Sequence, residues 1–176
     1  IDPRKLPPAQ KGEGAFAASG TNVAVFGQHH VWIGTSQGRV LHSADSGETW
    51  EVAATGLAVS PTAGIFSLAF RDSQRGIAAG GDFTKEKQPG AHVALTADGG
   101  RTWRLVPGIL GFRSAVAHVH GGSVVLTGPS GTELSRDHGE HWEPLPGEGF
   151  ESAGGQQRAA GEVLQEFAAT GRLDRE

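Results

Sequence analysis

One eight-residue pattern occurs three times in this chain: Ser43-Ala-Asp45-Ser-Gly47-Glu-Thr49-Trp50, Thr96-Ala-Asp98-Gly-Gly100-Arg-Thr102-Trp103 and Ser135-Arg-Asp137-His-Gly139-Glu-His141-Trp142. A recurring unit of this kind constrains the architecture before it says anything about chemistry. Each position has a physical task in a turn between two strands. Asp45, Asp98 and Asp137 accept hydrogen bonds from backbone N–H groups of their own loop. Gly47, Gly100 and Gly139 stand where the reversal needs positive φ, which costs a residue with a Cβ about 1 kcal/mol or more. Ser43, Thr96 and Ser135 satisfy a further loop group, and Trp50, Trp103 and Trp142 anchor the outgoing strand with an apolar plate. His141 replaces the threonine of the other two copies, Thr49 and Thr102. The third turn is therefore expected to be less fully bonded.

The intervals from Asp45 to Asp98 and from Asp98 to Asp137 bracket the roughly 40–50 residues of a four-stranded propeller blade. Short runs rich in Val, Ile, Ala and Phe, punctuated by Gly, Pro, Asp and Ser, fill those intervals. The first unit has strands near 22–26, 30–34, 39–43 and 51–54, and the second near 65–70, 76–80, 92–96 and 104–107. The third has them near 114–120, 123–127, 132–135 and 143–145. The fold class is thus all-β: a β-propeller segment of about three four-stranded blades over residues 14–147. Residues 1–13 read as a linker or the remnant of a preceding blade. Residues 148–176 form a tail in which Val163, Leu164 and Phe167 fall at helical spacing.

The three segments resemble the Asp-box, or BNR repeat, of sialidase-like β-propellers. That resemblance implies hairpins joining the third and fourth strands of a blade, away from the usual ligand face, and so implies architecture more than catalysis. Within that superfamily the chain is most similar to the photosystem II stability and assembly factor-like branch of WD40/YVTN/BNR-like propellers. The similarity lies in the order of a strand, a Gly-rich second strand such as Gly76-Ile-Ala-Ala-Gly-Gly-Asp82, a third strand, and the Thr-x-Asp-Gly-Gly-x-Thr-Trp turn. It implies a noncatalytic binding or assembly module and a periplasmic or extracellular home, although this chain carries no signal peptide. Propellers close with about 4–8 blades. Three blades are therefore expected to close with missing blades or by self-association.

Composition agrees with many tight turns around a packed core, with 28 Gly, 9 Pro and 37% hydrophobic residues. A net charge of −4 offers no general basic face for nucleic acid. No run of about 18 apolar residues is present to insert into a membrane. With no cysteine in the chain, a disulfide framework or thiolate metal site is excluded.

A sialidase needs a tyrosine nucleophile, and the chain has no Tyr. The arginine motif of that family is matched at Phe112-Arg113 only. A glycoside hydrolase working with two carboxylates is the alternative function, with Asp72 and Asp82 as the aspartates outside the repeats. No catalytic residue, cofactor site or metal site is assigned. His118 and His120 alternate in one strand, which would place both on one face within reach of one ion, but two ligands fall short of a site. Paired surface or channel histidines are the plainer reading. The long connection from Asp82 to Gly90, with Lys85, is a candidate recognition loop. Arg71, Arg75 and Arg113 are candidates for an arginine-bearing rim at the same end, able to grip carboxylates. The functional expectation is a module that recognises a protein partner or polymer, a glycan being the alternative, through loops and the channel mouth.

Overall fold

A computed structural model describes residues 2–16 and 20–145, with the backbone alone at His120. The predicted helical tail lies outside the described residues. Among the described residues twelve strands form three separate four-stranded antiparallel sheets, each a meander in chain order. Blade 1 consists of β1 (Val23–Phe26), β2 (His30–Gly34), β3 (Arg39–Ser43) and β4 (Glu51–Ala54). Blade 2 holds β5 (Ala63–Phe70), β6 (Gly76–Asp82), β7 (Val93–Thr96) and β8 (Arg104–Val106), and blade 3 holds β9 (Ala115–His118), β10 (Val124–Gly128), β11 (Gly131–Ser135) and β12 (Glu143–Pro144). These strands fall within a few residues of those read from the sequence, so the fold is a partial propeller of three blades.

The repeated turn accounts for the third reversal in each blade. Asp45 accepts from Thr49 N at 2.8 Å and from Thr49 Oγ1 at 2.6 Å. Asp98 does the same with Thr102, at 2.9 and 2.6 Å. The hydroxyls of Ser43, Thr96 and Ser135 donate to the aspartate and accept from the N–H of the turn glycine, each 2.7–2.9 Å away. Those glycines have φ of 92°, 95° and 96°. The third turn departs from expectation: His141 Nδ1 lies 2.6 Å from Asp137 Oδ2 and His141 N donates to Asp137 Oδ1 at 2.9 Å. An imidazole nitrogen reaches the oxygen that a threonine hydroxyl would serve, so this turn is as fully bonded as the others.

Alternation within the strands gives every blade two apolar faces, and the core consists of the seams between blades. At the first seam Trp32 and Val40 of blade 1 pack with Leu57, Ile65, Leu68, Ala78 and Ala94. At the second, Ile77, Ala79, Val93 and Val106 of blade 2 pack with Val116, Val124 and Leu126 of blade 3. Hydrogen bonds cross both seams. Leu68 N donates to Thr21 O at 2.8 Å, and Val116 N to Ser67 Oγ at 3.0 Å. The largest buried side chain is not one of the repeated tryptophans. Trp32 is fully buried, stacks on Phe70 at 3.7 Å and donates through Nε1 to Gly99 O at 2.7 Å. Trp50, Trp103 and Trp142 are half-buried, each donating to the carbonyl of its own turn glycine at 3.0–3.1 Å.

Candidate functional site

An antiparallel meander puts its first and third reversals at one end of the blade and its second reversal at the other. The β5–β6 turn, residues 71–75, accordingly lies beside the β7–β8 turn, tied to it by Gly99 N donating to Gln74 O at 2.7 Å. The connection 83–92 lies at the opposite end with the link from blade 2 to blade 3. There Gly90 N donates to Ile109 O at 3.1 Å and Phe112 N to Glu86 O at 3.0 Å. This separates the predicted rim: Arg71 and Arg75 stand at the repeated-turn end, and Arg113 at the other.

Arg113 is also not a surface group. It is 1% exposed, and its guanidinium donates to Glu133 Oε2 at 3.1 Å, to Ser130 Oγ at 2.7 Å and to the Phe112 carbonyl at 3.1 Å. With both partners of the ion pair buried, it is a structural clamp between the blade link and β11. Asp82 ends β6 and accepts from Thr84 N at 3.0 Å and Thr84 Oγ1 at 2.7 Å, with Lys85 Nζ 3.5 Å away. The Thr84 hydroxyl, against some burial, and then the Thr62 hydroxyl, the Thr84 N–H and the Lys85 charge hold its pKa at about 2. It stays ionised. Asp82 ends the seven-residue β6 and the turn bearing Asp72 precedes it, so the length of the strand, at roughly 3.3 Å per residue, separates the two. The carboxylates of a glycosidase stand about 5–9.5 Å apart. Asp72 and Asp82 are therefore not such a pair.

The histidine expectation changes too. Strand β9 ends at His118, and His120 opens a 3-10 turn, so the alternation that would align the two side chains stops between them. Among the described residues no group of three or more His, Cys, Asp or Glu could hold a metal ion.

What the structure does bring together is Arg71, Arg75 and His118, in a cleft of about 400 Å³ between blades 2 and 3 at the repeated-turn end, the end that the resemblance sets away from the usual ligand face. Trp103, His138 and the Arg104–Glu140 pair complete its wall. Arg71 Nη1 donates to His138 Nδ1 at 2.6 Å. Arg71 and Arg75 approach the same Asp72 carboxylate at 3.5 Å each, while Asp72 Oδ1 is engaged by the N–H groups of Gln74 and Arg75 at 2.8 and 2.7 Å. Arg104 is tied directly to Glu140 at 2.6 Å. Arg71 and Arg75 thus keep guanidinium N–H donors in excess of the acceptors within reach. Burial lowers the His118 pKa; its hydrogen bond to the Ala69 backbone opposes this, and Arg71 and His138 lower it further. The balance favours the neutral ring, and its buried Nε2 has no hydrogen-bond partner among the described residues. A cleft with spare guanidinium donors beside the Trp103 ring can hold an anionic group.

Sequence reasoning places His138 in its turn alone and does not single out Arg104 or Glu140. A signal for His138 and Glu140 lies in strand parity, which puts the third turn of blade 3 at the same end as the first turn of blade 2.

No family model matches the chain, and neither does any curated protein. Among solved structures it is similar to YCF48 bound to D1 peptide, at 22% identity and a TM-score of 0.55, over 71% of this chain and 38% of that one. It is similar also to YCF48 from Cyanidioschyzon merolae, at 21% identity and a TM-score of 0.51, over 71% of this chain and 36% of that one. An ancestral GH74 enzyme matches at 22% identity and a TM-score of 0.55, over 71% of this chain and 18% of that one. The likeness is one of fold. The chain spans less than two fifths of the length of each of these structures.

Proposed function

We propose that this chain is a noncatalytic propeller module of the Asp-box kind that recognises an acidic segment of a protein partner, working outside the cytoplasm. The observation that carries the reading is the cleft between blades 2 and 3, where Arg71 and Arg75 share one carboxylate already engaged by backbone N–H groups. The YCF48 structure bound to a D1 peptide supports a peptide-holding role for a propeller of this fold. The likeness to an ancestral GH74 enzyme supports the glycosidase alternative equally as a matter of fold. The separation of Asp72 from Asp82 weighs against it as chemistry.

The test is a titration with two labelled peptides of equal length, one rich in Asp and Glu and one with Asn and Gln in their place, read by fluorescence anisotropy. The acidic peptide binds more tightly, and added salt weakens it. The double variant Arg71→Gln, Arg75→Gln lowers its affinity about tenfold or more, the scale of losing charge-assisted hydrogen bonds worth roughly 1.5–3 kcal/mol. Equal affinity for the two peptides, or no change in the variant, refutes the reading. Turnover of a β-glucan or sialoside would instead favour the glycosidase.

A further inference from the structure

The register of the three sheets assigns each blade face a direction. Ser43, Thr96 and Ser135 each close a third strand, so Leu41, Ala94 and Glu133, two residues earlier, occupy one equivalent position. Across blade 2 that position defines the row Leu68, Ala78, Ala94, Leu105, and across blade 3 the row Val116, Leu126, Glu133, Pro144. Both rows face the preceding blade: Leu68, Ala78 and Ala94 pack with Trp32 and Val40 of blade 1, and Val116 and Leu126 with Ile77 and Ala79 of blade 2. The equivalent row in blade 1 is Val23, Ile33, Leu41, Val52. It is apolar throughout.

Its innermost residue shows what is missing. Leu68 and Val116 are 4% and 3% exposed, whereas Val23 is 49% exposed. Val25, on the same face one step further along β1, is 66% exposed. The β3 half of this face is already covered. Residues 2–14 run beside it, from Lys5 paired with Glu48, past Arg39 bonded to the Pro8 carbonyl and the Glu13 carboxylate, to Gly14 bonded with Ser36. Leu41 is correspondingly buried, at 7% exposure. The segment thus acts as a strap over β3 and leaves β1 bare.

We propose that the bare β1 half of this face is the docking surface for a further four-stranded antiparallel blade, supplied by polypeptide outside these 176 residues. That blade sets apolar side chains of its second strand on Val23 and Val25, as Trp32 and Ile77 are set at the two seams present. Two observations select this occupant. The similar structures extend well beyond the matched portion, which is 38% and 36% of the two YCF48 chains. A second copy docked head to tail would need the opposite face of blade 3, whose Val125 and Leu134 are only 2% and 5% exposed. Adding a blade extends the seam that the fold already builds twice, and this inference stands apart from the peptide cleft.

The chain has no cysteine, so Val25→Cys introduces a single thiol. Its reaction rate with a maleimide is measured in the 176-residue chain and in the complete gene product, with light scattering on both. The thiol reacts freely in the shorter chain and at least about tenfold more slowly in the complete product, because a residue in a packed seam reacts only through local opening. Equal rates overturn the proposal, as does a gene product no longer than these residues. A dimer of the shorter chain that Val25→Glu converts to monomer also overturns it, by making a second copy the occupant.

Discussion

Trp32 should carry more of the stability than any of the three repeated tryptophans, and paired truncations to Phe test this. Its side chain is wholly buried between Phe70, at 3.7 Å and 8° between ring planes, and His42, at 4.8 Å and 4°. The indole N–H donates to the Gly99 carbonyl 2.7 Å away, inside the seam. Trp32→Phe keeps most of the stack but leaves that buried carbonyl unpaired, at about 1–3 kcal/mol. The smaller ring also leaves part of a cavity, at about 24 cal/mol per Å³ of unfilled volume. Together these give about 2–4 kcal/mol. Trp103→Phe frees the Gly100 carbonyl at a half-buried site that water can reach, so about 1 kcal/mol is expected. The assay is urea unfolding followed by circular dichroism, with ΔG taken from midpoint and slope so that a changed slope is not read as changed stability. Both rings touch the first seam, Trp103 only at its edge, so if Trp103→Phe costs as much as Trp32→Phe, full burial and the Gly99 hydrogen bond do not set the ranking and the reasoning fails. Trp32→Ala, at about 3–5 kcal/mol before the lost hydrogen bond, approaches the whole stability of an ordinary domain and is expected to unfold the chain.

Further outcomes follow from the turns and the buried pair. Removing one partner of the Arg113–Glu133 pair, as in Arg113→Met, should cost about 3–5 kcal/mol, and adding Glu133→Leu should restore much of it; a single variant as stable as the parent would show the pair to be solvated. Gly99 has φ of 80°, so Gly99→Ala should cost about 1–2 kcal/mol in urea unfolding, and a neutral result would mean the turn relaxes. The His141 pKa is raised by its hydrogen bond to Asp137 and then by that residue's charge, while the His141 backbone and side-chain bonds together with Ser135 lower the Asp137 pKa against slight burial. The stabilisation from this pair is complete between the two unfolded values, fades as pH rises through the raised histidine pKa, and fades as pH falls below the usual aspartate range. His141→Thr should abolish the alkaline decline in melting temperature, and an unchanged profile would exclude the pair as its source. Asp45 is held at about 2, by the Thr49 hydroxyl and N–H and the Ser43 hydroxyl, with slight burial opposed. Asp98 is also at about 2, where burial is outweighed by Thr102 and Thr96. Both should therefore add an acid decline that begins below pH 3.8 and that Asp98→Asn makes shallower.

The sequence by itself determined the three turns, the twelve strands and their grouping into blades. Each of these rests on local chemistry: an aspartate four residues from its donor, a glycine at positive φ, and apolar alternation within a handful of residues. Even the error at His141 was one of local bonding capacity, since an imidazole nitrogen reaches the carboxylate as a threonine hydroxyl does. Tertiary structure decided what depends on partners distant in the chain. Trp32 looks like any strand aromatic until blade 2 closes over it through Gly99, and Arg113 reads as a rim cation until Glu133 meets it in the interior. The cleft lay between: strand parity puts Arg71 with His138 and parts both from Arg113, but only packed blades set the distances. Alternation also shows that each blade has two apolar faces without showing which are covered. That was settled when Leu68 and Val116 were buried against a preceding blade and Val23 was left bare, because burial is a property of the neighbour as much as of the residue.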